Sequence, residues 1–281
     1  MYREEVYRMG EFAVEAMVKE AACYPSFGLV SPVSKGAHTD MDYYTFIESS
    51  AVLQRYFLEM AHVAMSGAEI EDIFKRCRKI GIEAEAAMYK RTKGVNTHKG
   101  MIFVLGLTLI ASSVVVARKG EFQEIPHVIK EMTMGIVEAE LRHLTGKEDL
   151  THGERVFLEY GITGIRGEAE AGLPAVFNHA LKAYRECELE ENERLVYTLL
   201  EIMAFCEDTT ILHRHDLGTL KEVKERSGEL LRSFGKPIKL DMERIEKVSL
   251  EFSRRRISPG GCADLLAVTI FLSRIREEFF R

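Results

Sequence analysis

Residues 101–117 form a run of seventeen positions without a single charged side chain. A membrane-spanning helix needs about 20 apolar residues, so this run is slightly short, and it contains Gly106, Ser112 and Ser113. No second run of this kind occurs in the chain. We therefore expect a helix buried on all sides at the centre of a globular fold, and no membrane partner.

Most of the remaining chain shows the spacing of amphipathic helices. In residues 4–22, Val6, Met9, Ala13 and Met17 recur at intervals of three or four positions, which places them on one helix face. Alternating apolar and polar residues, the pattern of an exposed β-strand, are nearly absent. The sequence predicts an all-α fold of about ten helices around the buried central helix. The other segments with helical spacing are 43–65, 70–88, 120–144, 175–184, 193–205, 220–234, 242–252 and 263–279.

Composition is typical of a globular protein with one core. The 281 residues, 46% of them hydrophobic, can bury a sizeable interior, and six prolines without any low-complexity stretch give no sign of a linker. We therefore expect residues 1–281 to form a single domain. The net charge of −6 argues against a nucleic-acid partner, because such proteins usually carry a basic face.

The cysteines indicate a reducing compartment. All five are dispersed and no two form a C-x-x-C pair, which is typical of free thiols rather than of disulfides or a zinc site. The chain starts with charged residues and lacks the apolar region of a signal peptide. We expect a cytoplasmic protein. The oligomeric state stays open, with a homodimer among the alternatives.

Polar motifs rich in glycine separate the helical segments. They place His, Asp, Lys and Arg beside glycines at positions where helices start or stop, and helix amino-terminal ends attract anions through their free N–H groups. So many motifs of this kind in one chain predict one assembled polar site of an enzyme. The motifs are G-A-H-T-D-M-D (36–42), G-V-N-T-H-K-G (94–100), T-H-G-E (151–154), G-I-R-G-E-A-E-A-G-L-P (164–174), E-D-T-T-I-L-H-R (207–214) and S-P-G-G-C-A-D-L-L-A (258–267).

Four aspartates are candidate metal ligands. Asp40 and Asp42 are separated by one residue, and paired carboxylates of this kind bind Mg²⁺ together with ligand phosphates. The alternative is that one of them caps the helix that follows. Asp208 and Asp264 are candidate metal or ribose ligands, but each also suits the first turn of a helix, where the dipole favours an acid.

The motif before the central helix offers phosphate ligands. Lys99 is suited to bind a phosphate, and His98 to donate to a phosphate or to transfer a proton. Asn96 and Thr97 complete this polar group, which is costly to bury unless it is satisfied. The alternative is a Thr97 cap with Lys99 extending into solvent.

The later motifs add further candidates. Arg166 is suited to hold phosphate oxygens with two hydrogen bonds, and Glu168 to hold that guanidinium or a ribose hydroxyl. A surface ion pair in a turn is the competing interpretation. Arg214 follows Asp208 by six residues and can reach the same pocket, while Gly260 and Gly261 start the last helix. No phosphate loop of the G-x-x-x-x-G-K-[ST] type occurs, so a nucleotide would bind in another way.

Taken together and in this order, the motifs resemble the triphosphoribosyl-dephospho-CoA synthase family, which serves citrate lyase and malonate decarboxylase. G-L-V-S (28–31) and all six motifs carry the resemblance, from about residue 21 to the end of the chain. It implies an all-helical, Mg²⁺-dependent transferase that uses ATP and 3′-dephospho-CoA. The 2′-hydroxyl of dephospho-CoA attacks C1′ of the ATP ribose, adenine leaves, and the triphosphate stays on the transferred ribose.

The resemblance also implies roles for the candidates. Mg²⁺ would be held by Asp40 and Asp42, with Asp208 or Asp264 completing the site. Glu168 or a histidine such as His98 would deprotonate the attacking hydroxyl. The triphosphate would be bound by Asn96, Thr97, Lys99, Arg166, Arg214, Gly260 and Gly261.

Two stretches differ from the common family pattern. Ser26-Phe27 stands where relatives often have Lys-Pro, and His215-Asp216 stands where they often have two glycines. Three other functions are kept as alternatives. The first is a family member that transfers ribosyl triphosphate, or a simpler group, from ATP to another acceptor. The second is a nucleotide-binding helical protein without catalysis. The third is a hydrolase of the ADP-ribosyl type.

Overall fold

The computed structural model describes residues 2–142, 144, 148–235 and 237–280, and the regular structure in that part of the chain is helical. A single isolated bridge between Ser31 and Ser34 is the strand-like pairing found there. Among the described residues a 3₁₀ turn, Phe122–Glu124, precedes α5, and a π-helical segment, Ala175–Ala180, precedes α9. The α-helices are α1 (Glu4–Ala22), α2 (Tyr43–Ala64), α3 (Ile70–Arg91), α4 (Lys99–Ala117), α5 (Ile125–Thr133), α6 (Ile136–Leu141), α7 (His152–Tyr160), α8 (Gly164–Glu170), α9 (Leu181–Glu186), α10 (Glu191–Phe205), α11 (Thr209–Arg214), α12 (Leu217–Phe234), α13 (Met242–Arg254) and α14 (Gly260–Phe279).

The uncharged run forms α4, and the prediction of a buried central helix is confirmed. Helices α1, α2, α3, α5 and α14 all pack against it, so its apolar side chains are covered nearly all round. Of the described helices, α4 alone has the length and hydropathy of a membrane span, yet most of it lies inside the protein. Helix α14 is the second core helix, with residues such as Leu265, Val268 and Leu272 fully buried.

The all-α prediction is confirmed, but the helices are shorter and more numerous than expected. The predicted segment 120–144 contains the 3₁₀ turn, α5 and α6, because Pro126 starts one helix and Gly135, at φ 78°, separates α5 from α6. His143 of that segment lies outside the described residues. Three of the motifs form short helices themselves: α7 starts at a capping box of Thr151 and Glu154, the motif 164–174 forms α8, and Asp208 caps α11.

Tight backbone contacts fix the loop between α1 and α2 against the start of α14. Gly28 has φ 88°, and a Cβ there would lie 2.0 Å from the carbonyl oxygen of Ile257. Gly36 has φ 58°, and its Cβ would meet the carbonyl oxygen of Gly28 at 2.3 Å. Only glycine fits at these two positions. The loop therefore brings residues 38–41 to the amino-terminal end of α14.

Candidate functional site

A large pocket opens where the amino-terminal ends of α4, α7 and α14 meet. Its volume of about 780 Å³ is at the upper side of the roughly 300–1,000 Å³ usual for small-molecule sites. Nine of the residues predicted for the site border this pocket. They are Asp40, Asn96, Thr97, Lys99, Arg166, Arg214, Gly260, Gly261 and Asp264.

The pocket wall has a second, apolar part formed by α3 and α4. Along α4 the lining runs from Lys99 to Ile110, which corresponds to about 16 Å at 1.5 Å per residue. The wall then continues onto α3 and reaches Met60 of α2. Its apolar lining residues include Phe74, Cys77, Ile82, Phe103 and Leu107. The pocket is thus polar at the helix ends and apolar farther along α4.

Carboxylates hold several of the cationic side chains that face the pocket. Lys99 Nζ lies 3.1 Å from Glu85 Oε2. Arg166 Nε lies 2.7 Å from Glu140 Oε2, and Arg78 Nη2 contacts the other oxygen of Glu140 at 2.8 Å. Although burial favours the neutral acid, the hydrogen bonds from Arg166 and Arg78 lower the pKa of Glu140. The sequence left open that Arg166 forms a surface ion pair in a turn. Arg166 does form an ion pair, but its partner is Glu140 and the pair lies at the pocket wall.

Arg214 reaches the pocket beside His38. Nη2 of Arg214 lies 3.4 Å from Nδ1 of His38. The other ring nitrogen of His38, Nε2, lies 3.0 Å from Oγ of Ser258. Burial, and then the charge of Arg214, lower the pKa of His38 to about 4, so the ring is neutral and accepts from Arg214. Asp40 is exposed at the same place and lies close enough to Arg214 to favour its charge. Asp40 and Arg214 therefore belong to one region of the pocket.

Two of the four predicted metal ligands act as helix caps instead. Asp42 Oδ1 accepts from N of Thr45 at 3.0 Å at the start of α2. Asp208 Oδ1 accepts from N of Thr210 at 2.8 Å at the start of α11, while its Oδ2 accepts from N of Cys262 at 2.8 Å. Neither residue borders the pocket. The metal roles predicted for Asp42 and Asp208 are not supported, because their oxygens already satisfy backbone N–H groups.

The described residues contain no group of three His, Cys, Asp or Glu side chains placed to hold a metal ion. The four predicted aspartates are therefore not gathered into one cluster. Asp40 and Asp264 are the two of them that border the pocket. A cation here would need ligands from the substrate, as Mg²⁺ commonly does when it binds with phosphates.

His98 lies beneath the pocket rather than in it. Its side chain is 1% exposed, its Nδ1 lies 2.7 Å from Oγ of Ser49, and its ring packs edge-on against Phe46. Its Nε2 has no hydrogen-bond partner among the described residues. Burial lowers the pKa of His98 to about 3. The predicted proton-transfer role is not supported by this placement, because the ring is neutral and does not border the pocket.

This placement predicts acid sensitivity. His98 stays neutral in the folded protein, whereas in the unfolded chain it takes up a proton below about pH 6.5. Its contribution to the free energy of unfolding is therefore full above that pH and is lost as the pH falls. Between about pH 7.5 and pH 5 the wild type should lose about 2 kcal/mol more than His98→Asn. Urea unfolding of both proteins at the two pH values measures the difference. Parallel losses would show that His98 is not held neutral.

Glu168 is also placed outside the pocket lining. Its Oε1 accepts from N of Ala175 at 2.6 Å, at the start of the π-helical segment. Burial raises the pKa of Glu168, although the hydrogen bond from Ala175 opposes this. The predicted role as a base at the pocket is not supported, because the carboxylate caps a helical segment elsewhere.

Two pocket features were missed or undervalued at the level of sequence. The rings of His152 and His213 stack with centroids 3.5 Å apart, and both border the pocket. Burial lowers the pKa of each ring, as do nearby cations such as Arg155. Glu20, near the end of α1, borders the pocket as well and was not predicted. Its position on the otherwise apolar face of α1 was the available signal.

The two stretches that differ from the family pattern serve local structure. Ser26 donates to the carbonyl oxygen of Leu29 at 2.9 Å, and Phe27 is buried against Phe252. Asp216 caps α12. None of the four differing residues, Ser26, Phe27, His215 and Asp216, borders the pocket. The differences therefore lie outside the described pocket lining.

Comparisons with known proteins agree with the sequence resemblance. A family model described as ATP:dephospho-CoA triphosphoribosyl transferase matches residues 7–279. Similar curated proteins carry the name "Probable 2-(5''-triphosphoribosyl)-3'-dephosphocoenzyme-A synthase". The one from Streptococcus mutans is 35% identical over 98% of both chains. The one from Vibrio cholerae is 37% identical over 96% of this chain and 89% of its own length. No solved structure matches.

Proposed function

The chain belongs to the ATP:dephospho-CoA triphosphoribosyl transferase family, and we propose that the large pocket is the place where ATP and 3′-dephospho-CoA react. The activity is transfer of the triphosphoribosyl group of ATP to dephospho-CoA with release of adenine. A bond forms between C1′ of the ATP ribose and the 2′-oxygen of the acceptor, and the C1′–N9 bond to adenine breaks. The hydroxyl proton leaves the acceptor, and adenine takes up a proton.

The observation that carries the proposal is the group of cations at one end of the pocket. Lys99 at the start of α4, Arg166 in α8 and Arg214 at the end of α11 all border the cavity. The starts of α4 and α14 lie at the same cavity, where helix N–H groups and dipoles add positive potential. Such a surface suits a triphosphate, whose charge needs several donors. Asn96 accepts from N of Lys99 at 3.1 Å and fixes the start of α4.

The apolar part of the wall suits the acceptor. Dephospho-CoA carries a long pantetheine arm, and the lining of α3 and α4 extends for about 16 Å from Lys99. An elongated, mostly apolar surface next to a cationic one matches a nucleotide with such an arm. We infer that the arm lies along α4 while the two ribose groups meet near the helix ends.

Substitution at C1′ builds positive charge on the sugar ring, which nearby carboxylates stabilise. Asp40 is our candidate for this catalytic role, since it borders the pocket beside Arg214. The stacked rings of His152 and His213, whose pKa values burial lowers, offer a flat surface and ring nitrogens for the adenine base.

We also propose that Mg²⁺ accompanies the triphosphate. Asp264 fits this ion, because it borders the pocket and has no hydrogen bond or ion pair with another described residue. Mg²⁺ is typically held by one or two carboxylates together with phosphate oxygens and water. When bound, the ion would neutralise part of the triphosphate charge.

Adenine release tests the proposal directly. We expect release from ATP with Mg²⁺ only when 3′-dephospho-CoA is present, together with a product heavier by one triphosphoribosyl group. Chromatography and mass spectrometry measure both. Release without an acceptor would indicate a hydrolase, and release only with a different acceptor would contradict the assignment of dephospho-CoA.

Lys99→Met should weaken the use of ATP. Loss of a charged donor to a phosphate costs about 1.5–3 kcal/mol, so kcat/KM for ATP should fall roughly 10–100-fold. Lys75→Met is the matched control, because Lys75 forms a similar ion pair with Glu71 at 2.7 Å on the exposed side of α3. Steady-state adenine release should leave the control within about twofold of wild type. Equal effects in both variants would remove Lys99 from the phosphate site.

A further inference from the structure

Glu20 is an acid inside the protein without a compensating partner. It lies in the last turn of α1 on the same face as Ala13 and Met17, and only 4% of its surface is exposed. Its Oε2 is fully buried and has no hydrogen-bond partner among the described residues. The residue borders the pocket. Burial raises the pKa of Glu20 to about 8.

Asp264, half-buried near the beginning of α14, is a second pocket acid without an ion pair among the described residues. It borders the same pocket and is packed so closely against α4 that a Cβ on Gly100 would lie 2.1 Å from its Oδ2. Burial is the main reason that the pKa of Asp264 is raised, and the charge of Glu20 adds to it. Glu20 and Asp264 thus line the same pocket, from the end of α1 and the beginning of α14.

The other carboxylates at the pocket have positive neighbours. Glu85 pairs with Lys99, and Glu140 pairs with two arginines. Asp40 lies near Arg214. Within the described residues, neither Glu20 nor Asp264 forms an ion pair. An acid held inside a protein without a positive neighbour is costly unless it is protonated or binds a cation.

The surroundings favour a small, hard cation. The oxygen ligands are carboxylates, which Mg²⁺ and Mn²⁺ prefer, and the contact with Gly100 leaves no space for a bulky group between Asp264 and α4. Lys99, the residue before Gly100, faces the same pocket and suits a phosphate. A cation at Glu20 and Asp264 would therefore lie close to where the phosphates of ATP are expected.

We propose that Glu20 and Asp264 together hold the divalent cation that enters with the triphosphate. The proposal rests on the proposed function, because phosphate oxygens of ATP would complete the coordination shell. It differs from the ligand set predicted from sequence, which was Asp40 and Asp42 with Asp208 or Asp264. Asp264 is retained and Glu20 is added, Asp40 lies beside Arg214, and Asp42 and Asp208 are capping residues.

Mn²⁺ binding to the full chain without nucleotide tests this proposal independently of turnover. Electron paramagnetic resonance of free Mn²⁺ should show one site in the wild type. Glu20→Gln and Asp264→Asn, which keep the side-chain shape, should each weaken Mn²⁺ binding at least about tenfold, the equivalent of 1.4 kcal/mol. Mn²⁺ should also raise the melting temperature of the wild type more than that of either variant.

Asp42→Asn is the matched control, because it removes an acid that was predicted as a ligand but does not border the pocket, while asparagine still caps α2. Its Mn²⁺ affinity should stay within about twofold of wild type. Absence of Mn²⁺ binding in the wild type, or unchanged binding in Glu20→Gln and Asp264→Asn, would overturn the cation site. Glu20→Gln that binds Mn²⁺ normally but loses turnover would instead make Glu20 a base. If Mn²⁺ binding behaves as expected but adenine release does not require dephospho-CoA, the cation site stands and the proposed function fails.

Discussion

Gly100→Ala is expected to reduce kcat for adenine release about 100-fold or more while the protein stays folded. The new Cβ would lie 2.1 Å from Oδ2 of Asp264, a distance that real contacts do not allow. The carboxylate can move because its end is flexible, so the clash is relieved by displacing Asp264 from the pocket. A displacement of about 1 Å at a reacting site can cost about 10²-fold in rate.

Stability should change little in this variant, because alanine is the better helix former in α4. Gly228→Ala in α12 is the control: its Cβ would meet only the mobile end of the Arg232 side chain, and it does not border the pocket. Melting temperature and steady-state kinetics separate the two effects. Gly100→Ala with wild-type kcat would mean that the position of Asp264 is unimportant for the reaction.

The fold was predictable because hydrophobicity determines where helices lie in the core. Residues 101–117 contain no charge, and only a position surrounded by other helices can cover such a segment in a globular protein. The helix boundaries were less predictable. Apolar spacing predicted one segment over residues 120–144, but Pro126 and Gly135 divide it. Their effect depends on local backbone geometry rather than on apolar spacing.

The pocket was predictable as a meeting of helix ends, but not residue by residue. Asp40 and Asp42 have the same side chain two positions apart, yet Asp42 satisfies the N–H of Thr45 while Asp40 faces the pocket. Caps and ligands use the same residue types at the same helix ends. Tertiary packing decides between the two roles, and one sequence does not contain that information explicitly.

Burial explains the remaining differences. His98 follows the polar residues Asn96 and Thr97, which made it look accessible, but the start of α4 turns its ring towards Ser49. Glu20 shows the reverse case. In the sequence Glu20 resembles the many surface acids. However, it follows Met17 by three residues and Ala13 by seven, which places it on the core face of α1. An acid on a core face is a useful signal for function, because an unpaired charge there is costly.

Asp208→Ala should cost the folded state about 3–5 kcal/mol, the largest stability effect that we expect. The side chain is 1% exposed and accepts hydrogen bonds from the backbone N–H groups of Thr210, Ile211 and Cys262. These bonds connect the start of α11 to the start of α14. Alanine would leave three donors without partners, and each unsatisfied buried donor costs about 1–3 kcal/mol.

Urea unfolding with a constant m-value measures this loss. Asp208→Asn should be affected less, because its amide oxygen can still accept from Thr210 and Ile211, while its NH₂ group faces the N–H of Cys262.

Asp216→Ala is the matched control, since Asp216 caps α12 in the same way but is exposed, so water can replace the lost bond. If Asp208→Ala and Asp216→Ala lose equal stability, the link between α11 and α14 does not matter for the fold. A larger loss in Asp208→Ala would show that this acid has a structural role at the site, where its Oδ2 binds the N–H of Cys262 beside Gly260 and Gly261.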